Sequence, residues 1–260
     1  MNIPCDTYQR YLEPGFIPFD PLELAKQTES IVCRGDRRKY TKFTCTRMFG
    51  EIVTGYTCGC CLRCIFCWVH WCRDFPEKYG RFYSSAEAFQ QLNRAALKAR
   101  VFQLRLSGAE PTLGKAHLLS ILEKVEYSPF RLFILETNGI LIGADPDYAQ
   151  QIAQFKKVHT RVSLKAGTPE AFERKTGAIA DSFELPFKGI KNLIKARASF
   201  HVAAMSADSR IVDKHEHQSL LDRLASIDPM LVGTLEEEVV SPYHNTLERL
   251  NQAGMKLDRD

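Results

Sequence analysis

Six cysteines fall within fifteen residues: Cys58, Cys60, Cys61, Cys64, Cys67 and Cys72. The chain has nine in 260 residues, and none follows Cys72. Thiols this dense point to a soft metal centre rather than to a spread disulfide scaffold. The loop reads Cys58-Gly-Cys-Cys-Leu-Arg-Cys-Ile-Phe-Cys-Trp68, and two ligand sets are open in it. Cys60, Cys64 and Cys67 have C-x3-C-x2-C spacing, and three thiolates suit a [4Fe–4S] cube that leaves one iron free for a substrate. Cys61, Cys64, Cys67 and Cys72 make the bland alternative, a four-thiolate zinc site in a non-catalytic binding module. No second C-x2-C pair follows Cys72, which weakens the zinc reading. Cys61 also competes with Cys60 at C-x2-C-x2-C spacing. Arg63 and the loop's backbone donors would offset the negative charge of a cluster. Cys5, Cys33, Cys45 and Cys58 match no ligand pattern and read as buried thiols.

Positioning such a loop needs a sizeable core, and 45% apolar residues with 25% charged allow one. Mean hydropathy is -0.24. No run approaches the ~18 apolar residues of a membrane span. The first twelve residues hold Asp6, Gln9 and Arg10 and lack an apolar signal core. These features read as a cytoplasmic protein without a membrane partner. The net charge of +4 is weak. A local basic run, Arg34, Arg37, Arg38, Lys39, Lys42 and Arg47, reads as a solvated face or mobile segment, with RNA or phosphate contact as the alternative.

Strand and helix patterns alternate from residue 51 onward. Strands are expected at 51–56, 101–106, 131–135, 158–164, 200–205 and 230–235. Helices are expected at 84–99, 115–125, 146–155, 169–176, 187–197, 217–226 and 245–253. Ser84 and Glu87 have capping-box spacing, and Gly177 is placed to end a helix. Six repeats of strand and helix imply an α/β fold with a parallel sheet and right-handed crossovers, whose working residues sit at the carboxyl ends of the strands. The division expected is 1–48 as an N-terminal extension, 49–240 as the core, and 241–260 as a last helix and tail.

The loop resembles the radical SAM superfamily, whose C-x3-C-x2-C signature carries an aromatic residue before the last cysteine, the place Phe66 takes here. Later strand ends continue the likeness. Ser107-Gly-Ala-Glu-Pro-Thr112 is similar to the family's Gly-Gly-Glu-Pro, with Ala109 replacing the second glycine. Glu136-Thr-Asn-Gly139 and Ser163-Leu-Lys165 resemble motifs of glycyl-radical activating enzymes, with Ser163 replacing an aspartate. The resemblance implies a partial (βα)6 TIM-like barrel, a [4Fe–4S] cluster on Cys60, Cys64 and Cys67, and S-adenosylmethionine (SAM) as cofactor. It implies that Gly108, Ala109 and Glu110 hold the SAM amino group, that Lys165 pairs with its carboxylate, that Phe66 lies near the adenine, and that Thr137 and Ser163 line the site. It also implies reductive cleavage of SAM to a 5′-deoxyadenosyl radical that takes hydrogen from a substrate. An electron donor such as ferredoxin or flavodoxin would be a partner. A glycyl-radical protein and RNA are the substrates the residues suggest.

Three further features have bland readings. Trp68, His70, Trp71 and Cys72 follow the loop and are candidates to line the site, with packing as the expected role of the two tryptophans. His201 reads as a satisfied core histidine. His215 and His217 read as solvated side chains ahead of a helix, with metal binding as the alternative.

Overall fold

Alternating apolar residues build each central strand, and the computed structural model arranges them as one sheet. It describes residues 8–46, 51–255 and 257. Asp20 caps α1 (Pro21–Val32). A short hairpin strand β1 (Cys33–Arg34) leads into β2 (Arg37–Thr46), which runs antiparallel to β3 (Ile52–Thr57). The cysteine loop follows β3. Then come β4 (Arg81–Ser84), which pairs with β2, α2 (Ser85–Ala99) and β5 (Gln103–Gly108). The capping box is formed: Ser84 and Glu87 satisfy each other's backbone donors. After β5 come α3 (Lys115–Glu126), β6 (Leu132–Thr137), α4 (Ile140–Ala144), α5 (Pro146–Ala153) and β7 (Val158–Leu164). The chain continues through α6 (Pro169–Thr176), a 3-10 turn at Ala180–Phe183, α7 (Glu184–Lys195), β8 (Phe200–Met205), α8 (Lys214–Ile227), α9 (Met230–Gly233), β9 (Glu236–Glu238) and α10 (His244–Gln252).

Strands β3, β5, β6, β7, β8 and β9 pair in that order, all parallel, which is the expected partial (βα)6 barrel. No described helix is long and apolar enough to cross a membrane.

Two expectations are corrected. The apolar run at 230–235 is not the sixth strand; it forms α9, and the strand is the acidic triplet Glu236–Glu238. The basic run is a solvated face only in part: Arg34, Arg37 and Lys42 are exposed, but they stand on regular strands. It forms β1 and β2, where Arg38 and Lys39 are buried. The Arg38 guanidinium donates to the Leu113 and Glu110 carbonyls at 3.1 Å, and Lys39 Nζ donates to the Pro76 and Glu77 carbonyls at 2.7 and 3.1 Å. Arg37 pairs with Glu87 at 2.9 Å. Main-chain oxygens offset the cost of burying these charges. Arg47 and Cys5 lie outside the described residues.

Candidate active site

The parallel strands end on one rim, and the cysteine loop folds over it. Cys60, Cys64 and Cys67 line one cavity together with Phe66, Glu110 and Lys165. Gly108, Ala109, Thr137 and Ser163 line it too, so every site residue expected from the sequence reaches a single space. Cys61 does not line it. It is buried beneath, its free thiol hydrogen-bonded to that of Cys60. That bond draws the Cys60 thiol down to about 7, while burial pushes Cys64 up to about 12. Lys165 and Arg73 act the other way at Cys64, as cations that favour its thiolate. Arg73, buried against the loop, donates to the Cys64 carbonyl at 2.8 Å and adds positive charge beside the sulfurs. The Asn138 amide donates to Cys61 Sγ at 3.2 Å and to Cys60 Sγ at 3.7 Å.

These residues fit an open-iron cluster: three thiols on one wall, cations nearby and an N–H turned toward the sulfurs. Cys72, the fourth thiol of the zinc alternative, packs in an apolar cluster with Cys58, Val32 and Val69, and Cys67 and Ala109 pack against the same cluster. Among the described residues no three of His, Cys, Asp or Glu converge as a preformed ion site.

The strand ends explain the cradle. Gly108 has φ +94°, and a Cβ there would meet Thr57 N at 3.0 Å and Thr57 O at 3.1 Å. Only glycine fits such a backbone comfortably. Ala109 is not among the positive-φ residues, so its methyl group is tolerated where the family has a second glycine. Glu110 is buried and already holds four donors. Oε1 accepts from Thr112 N, Thr112 Oγ1 and Thr137 Oγ1 at 3.0, 2.6 and 2.8 Å, and Oε2 accepts from Asn138 N at 2.9 Å. The carboxylate thus ties the ends of β5 and β6 together and sets the place of Asn138. Lys165 Nζ donates to Ser163 Oγ at 2.6 Å, and Ser163 donates to Glu238 Oε2 at 3.2 Å.

Several site residues escaped the sequence reading. Arg105, Glu136, Arg161 and Glu238 form a belt of alternating charge inside the barrel. Arg105 donates to Glu136 Oε1 at 3.1 Å and to Thr54 Oγ1 at 2.9 Å. Arg161 forks onto Glu236 at 2.8 and 2.9 Å and reaches Glu238 at 2.9 Å. Its hydrogen bond holds the Glu236 carboxyl down at about 2. Period-two alternation could have found them: Arg161 shares a face with Ser163, and Arg105 with Ser107. Glu238 carried no such signal, because its strand was assigned elsewhere.

The belt and Trp68 also line a second cavity of about 540 Å³, bounded by Tyr56, Met205 and Tyr243. Trp68 was expected to pack, yet it is 45% exposed and faces both cavities. Trp71 is exposed as well and lines neither. His70 stacks edge-on against Tyr79 away from the site. His201 is satisfied as expected, by Glu236 at 2.9 Å and His159 at 2.7 Å. His217 bonds Glu237 at 2.6 Å.

A family model of the radical SAM superfamily matches residues 55–205, and the chain belongs to that superfamily. It is therefore an enzyme class that works with SAM and a [4Fe–4S] cluster, and such enzymes need an electron donor and a substrate. A GTP 3′,8-cyclase of Peptoclostridium acidaminophilum is 25% identical over 132 residues, covering 51% of this chain and 38% of that protein. Streptococcus suis SuiB bound to SAM is similar in structure, with TM-score 0.55 and 16% identity over 78% of this chain and 42% of that one. The protein anSMEcpe with bound AdoMet gives TM-score 0.52 at 17% identity over 75% and 56% of the two chains. TYW1 with a lysine-pyruvate adduct bound gives 0.51 at 13% identity over 78% and 71%. At these identities the likeness is one of fold. The chain spans well under two thirds of the curated relative's length.

Proposed function

We propose that this chain cleaves SAM reductively at a [4Fe–4S] cluster on Cys60, Cys64 and Cys67, and removes a hydrogen atom from a substrate held in the adjoining lumen cavity. When bound, the cluster and SAM supply a 5′-deoxyadenosyl radical. The observation that carries the reading is the shared wall. Phe66, Trp68, Glu136, Arg161 and Glu238 border both the cysteine-lined cavity and the second cavity. A radical formed on one side thus has a substrate space beside it, walled by protein, where solvent competes less.

The chain's own groups do the positioning. Gly108 and Ala109 offer strand-end backbone to the SAM amino group, and Lys165 offers an ammonium to its carboxylate. Ser163 and Glu238 hold that ammonium in place. Asn138 and Arg73 balance charge at the sulfurs. Ferredoxin or flavodoxin fits the role of electron donor. A glycyl-radical protein stays a candidate substrate through Thr137-Asn138-Gly139 and Ser163-Leu164-Lys165, and RNA stays the other through the exposed Arg34, Arg37 and Lys42 of the basic run.

The test is anaerobic reconstitution with iron and sulfide, reduction by dithionite with SAM, and assay of 5′-deoxyadenosine. Product is expected from the native chain and none from Cys64→Ala. Lys165→Ala is expected to keep its iron content and lose SAM cleavage. Zinc without iron in anaerobically purified protein, and no product, would sink the reading.

A further inference from the structure

We propose that the lumen cavity binds a free nucleoside-type ligand, a small molecule built on an uncharged planar heterocycle with a hydrogen-bonding edge. The inference rests on the reading above for the chemistry that follows binding, and on the cavity itself for the class of ligand.

Size and place come first. A cavity of about 540 Å³ lies in the range of small-molecule sites and shares a wall with the cofactor cavity. Its floor is charged, but the charges are already paired. Arg105 is bonded to Glu136, and Arg161 to Glu236 and Glu238. An incoming carboxylate or ammonium would have to break into these pairs and leave a partly buried charge uncompensated. An uncharged heterocycle would not. The carboxylate oxygens of Glu136 and Glu238 keep spare lone pairs, and Arg161 Nη1 makes no hydrogen bond. Acceptors and a donor thus stand side by side, the pattern that reads the edge of a base.

The walls fit the flat face of the same ligand. Tyr56 and Trp68 meet edge to face, with ring centroids 6.1 Å apart at 87°. Trp68 is 45% exposed and Tyr243 51%, so both have ring surface left to cover a planar ring. Ser241 and Asn245, beside Tyr243, add uncharged polar groups suited to sugar hydroxyls.

The experiment is anaerobic equilibrium dialysis of the cluster-reconstituted chain with SAM against adenosine, guanosine, cytidine and uridine, each alone. At least one nucleoside is expected to be retained, with Kd below about 1 mM. Tyr243→Ala and Glu136→Gln are each expected to weaken retention by about tenfold or more. Because the ligand is uncharged, retention is expected to change little between about 50 and 200 mM salt. Retention of no nucleoside, retention untouched by both variants, or binding of single-stranded RNA alone with a steep salt dependence would each overturn the proposal. Assay of 5′-deoxyadenosine on the same preparation separates the two readings. SAM cleavage without nucleoside retention overturns this inference and leaves the radical chemistry standing. Retention without cleavage supports the ligand class and counts against the radical chemistry.

Discussion

At residue scale the site turns on single atoms added or withheld, and the Gly108-Ala109 pair shows it. The sequence departs from the family at Ala109 and keeps glycine at Gly108. The backbone explains both: φ is +94° at Gly108, while Ala109 is not in the left-handed region. Gly108→Ala would place a methyl group 3.0 Å from Thr57 N, on the strand that leads into the cysteine loop. The combined strain and steric cost is expected to be about 2–3 kcal/mol. That corresponds to a fall in Tm of about 4–12 °C for a chain of this size, read by thermal unfolding. Ala109→Gly is expected to change Tm by no more than about 4 °C. Equal effects from the two substitutions would refute the assignment of strain to Gly108. The three cysteines, Gly108 and Lys165, which share one cavity lining, were picked out by local motifs together with the family resemblance, since spacing alone left Cys61 open beside Cys60. Arg73 and Asn138 were not assigned, since their roles come from long-range packing against the sulfurs.

At the scale of elements, legibility followed apolar periodicity. The strands β5 to β8 bury alternating or continuous apolar residues and were expected within about two residues of their ends. The two failures are strands made of charge. Glu236–Glu238 has poor strand propensity as a peptide. It forms a strand because Arg161 and His201 take Glu236, Arg161 and Ser163 take Glu238, and Ser206 and His217 take Glu237. Strand β2 likewise holds Arg38 and Lys39 through backbone oxygens supplied by distant loops. Its docking onto α3 gives a pH prediction. Buried His117 accepts from Tyr40 Oη at Nε2 (2.8 Å) and donates from Nδ1 to the Asp36 carbonyl at 2.5 Å, which fixes the neutral tautomer. Burial pulls its pKa down to about 4. The unfolded chain, with an ordinary histidine near pH 6.5, therefore binds more protons between pH 6.5 and 4. Stability is full above that window and falls as pH drops through it, by about 3 kcal/mol at pH 4. His117→Gln removes this proton uptake, so its Tm is expected to fall less than the native chain's between pH 7 and 4, by about 6–12 °C. Parallel Tm curves would show that His117 does not carry the acid sensitivity.

At the scale of the whole molecule, the cysteine loop is held from both ends of the described chain. Arg10 donates to the Asp74 carbonyl at 2.6 Å, and Arg63 donates to the Gln9 carbonyl at 2.5 Å. From α10, Arg249 binds the Asp74 carboxylate and the Cys67 carbonyl, while Arg73 binds the same carboxylate and the Cys64 carbonyl. One buried anion thus seats two buried guanidiniums, and each guanidinium fixes the backbone of a cluster cysteine. Burial alone would raise the Asp74 carboxyl, but Arg73 and Arg249 together bring it below its ordinary value. The stability it gives is present above the ordinary carboxylate range and is lost as pH falls through its lowered value. Asp74→Asn keeps the shape and removes the charge, leaving both arginines buried without a counter-ion, a change expected to cost about 3–5 kcal/mol. Arg249→Met removes one cation and keeps much of the apolar stem, so Arg73 still pairs with Asp74 and the loss is expected to be smaller. Arg249→Met removes the donor to the Cys67 carbonyl, and Asp74→Asn removes the anion that seats that donor. If the clasp holds the loop in shape for iron, each reconstituted variant is expected to lose iron to a chelator faster than the native chain, with Asp74→Asn the faster. Native rates of iron loss in both variants, at temperatures where both stay folded, would mean that the clasp serves stability alone.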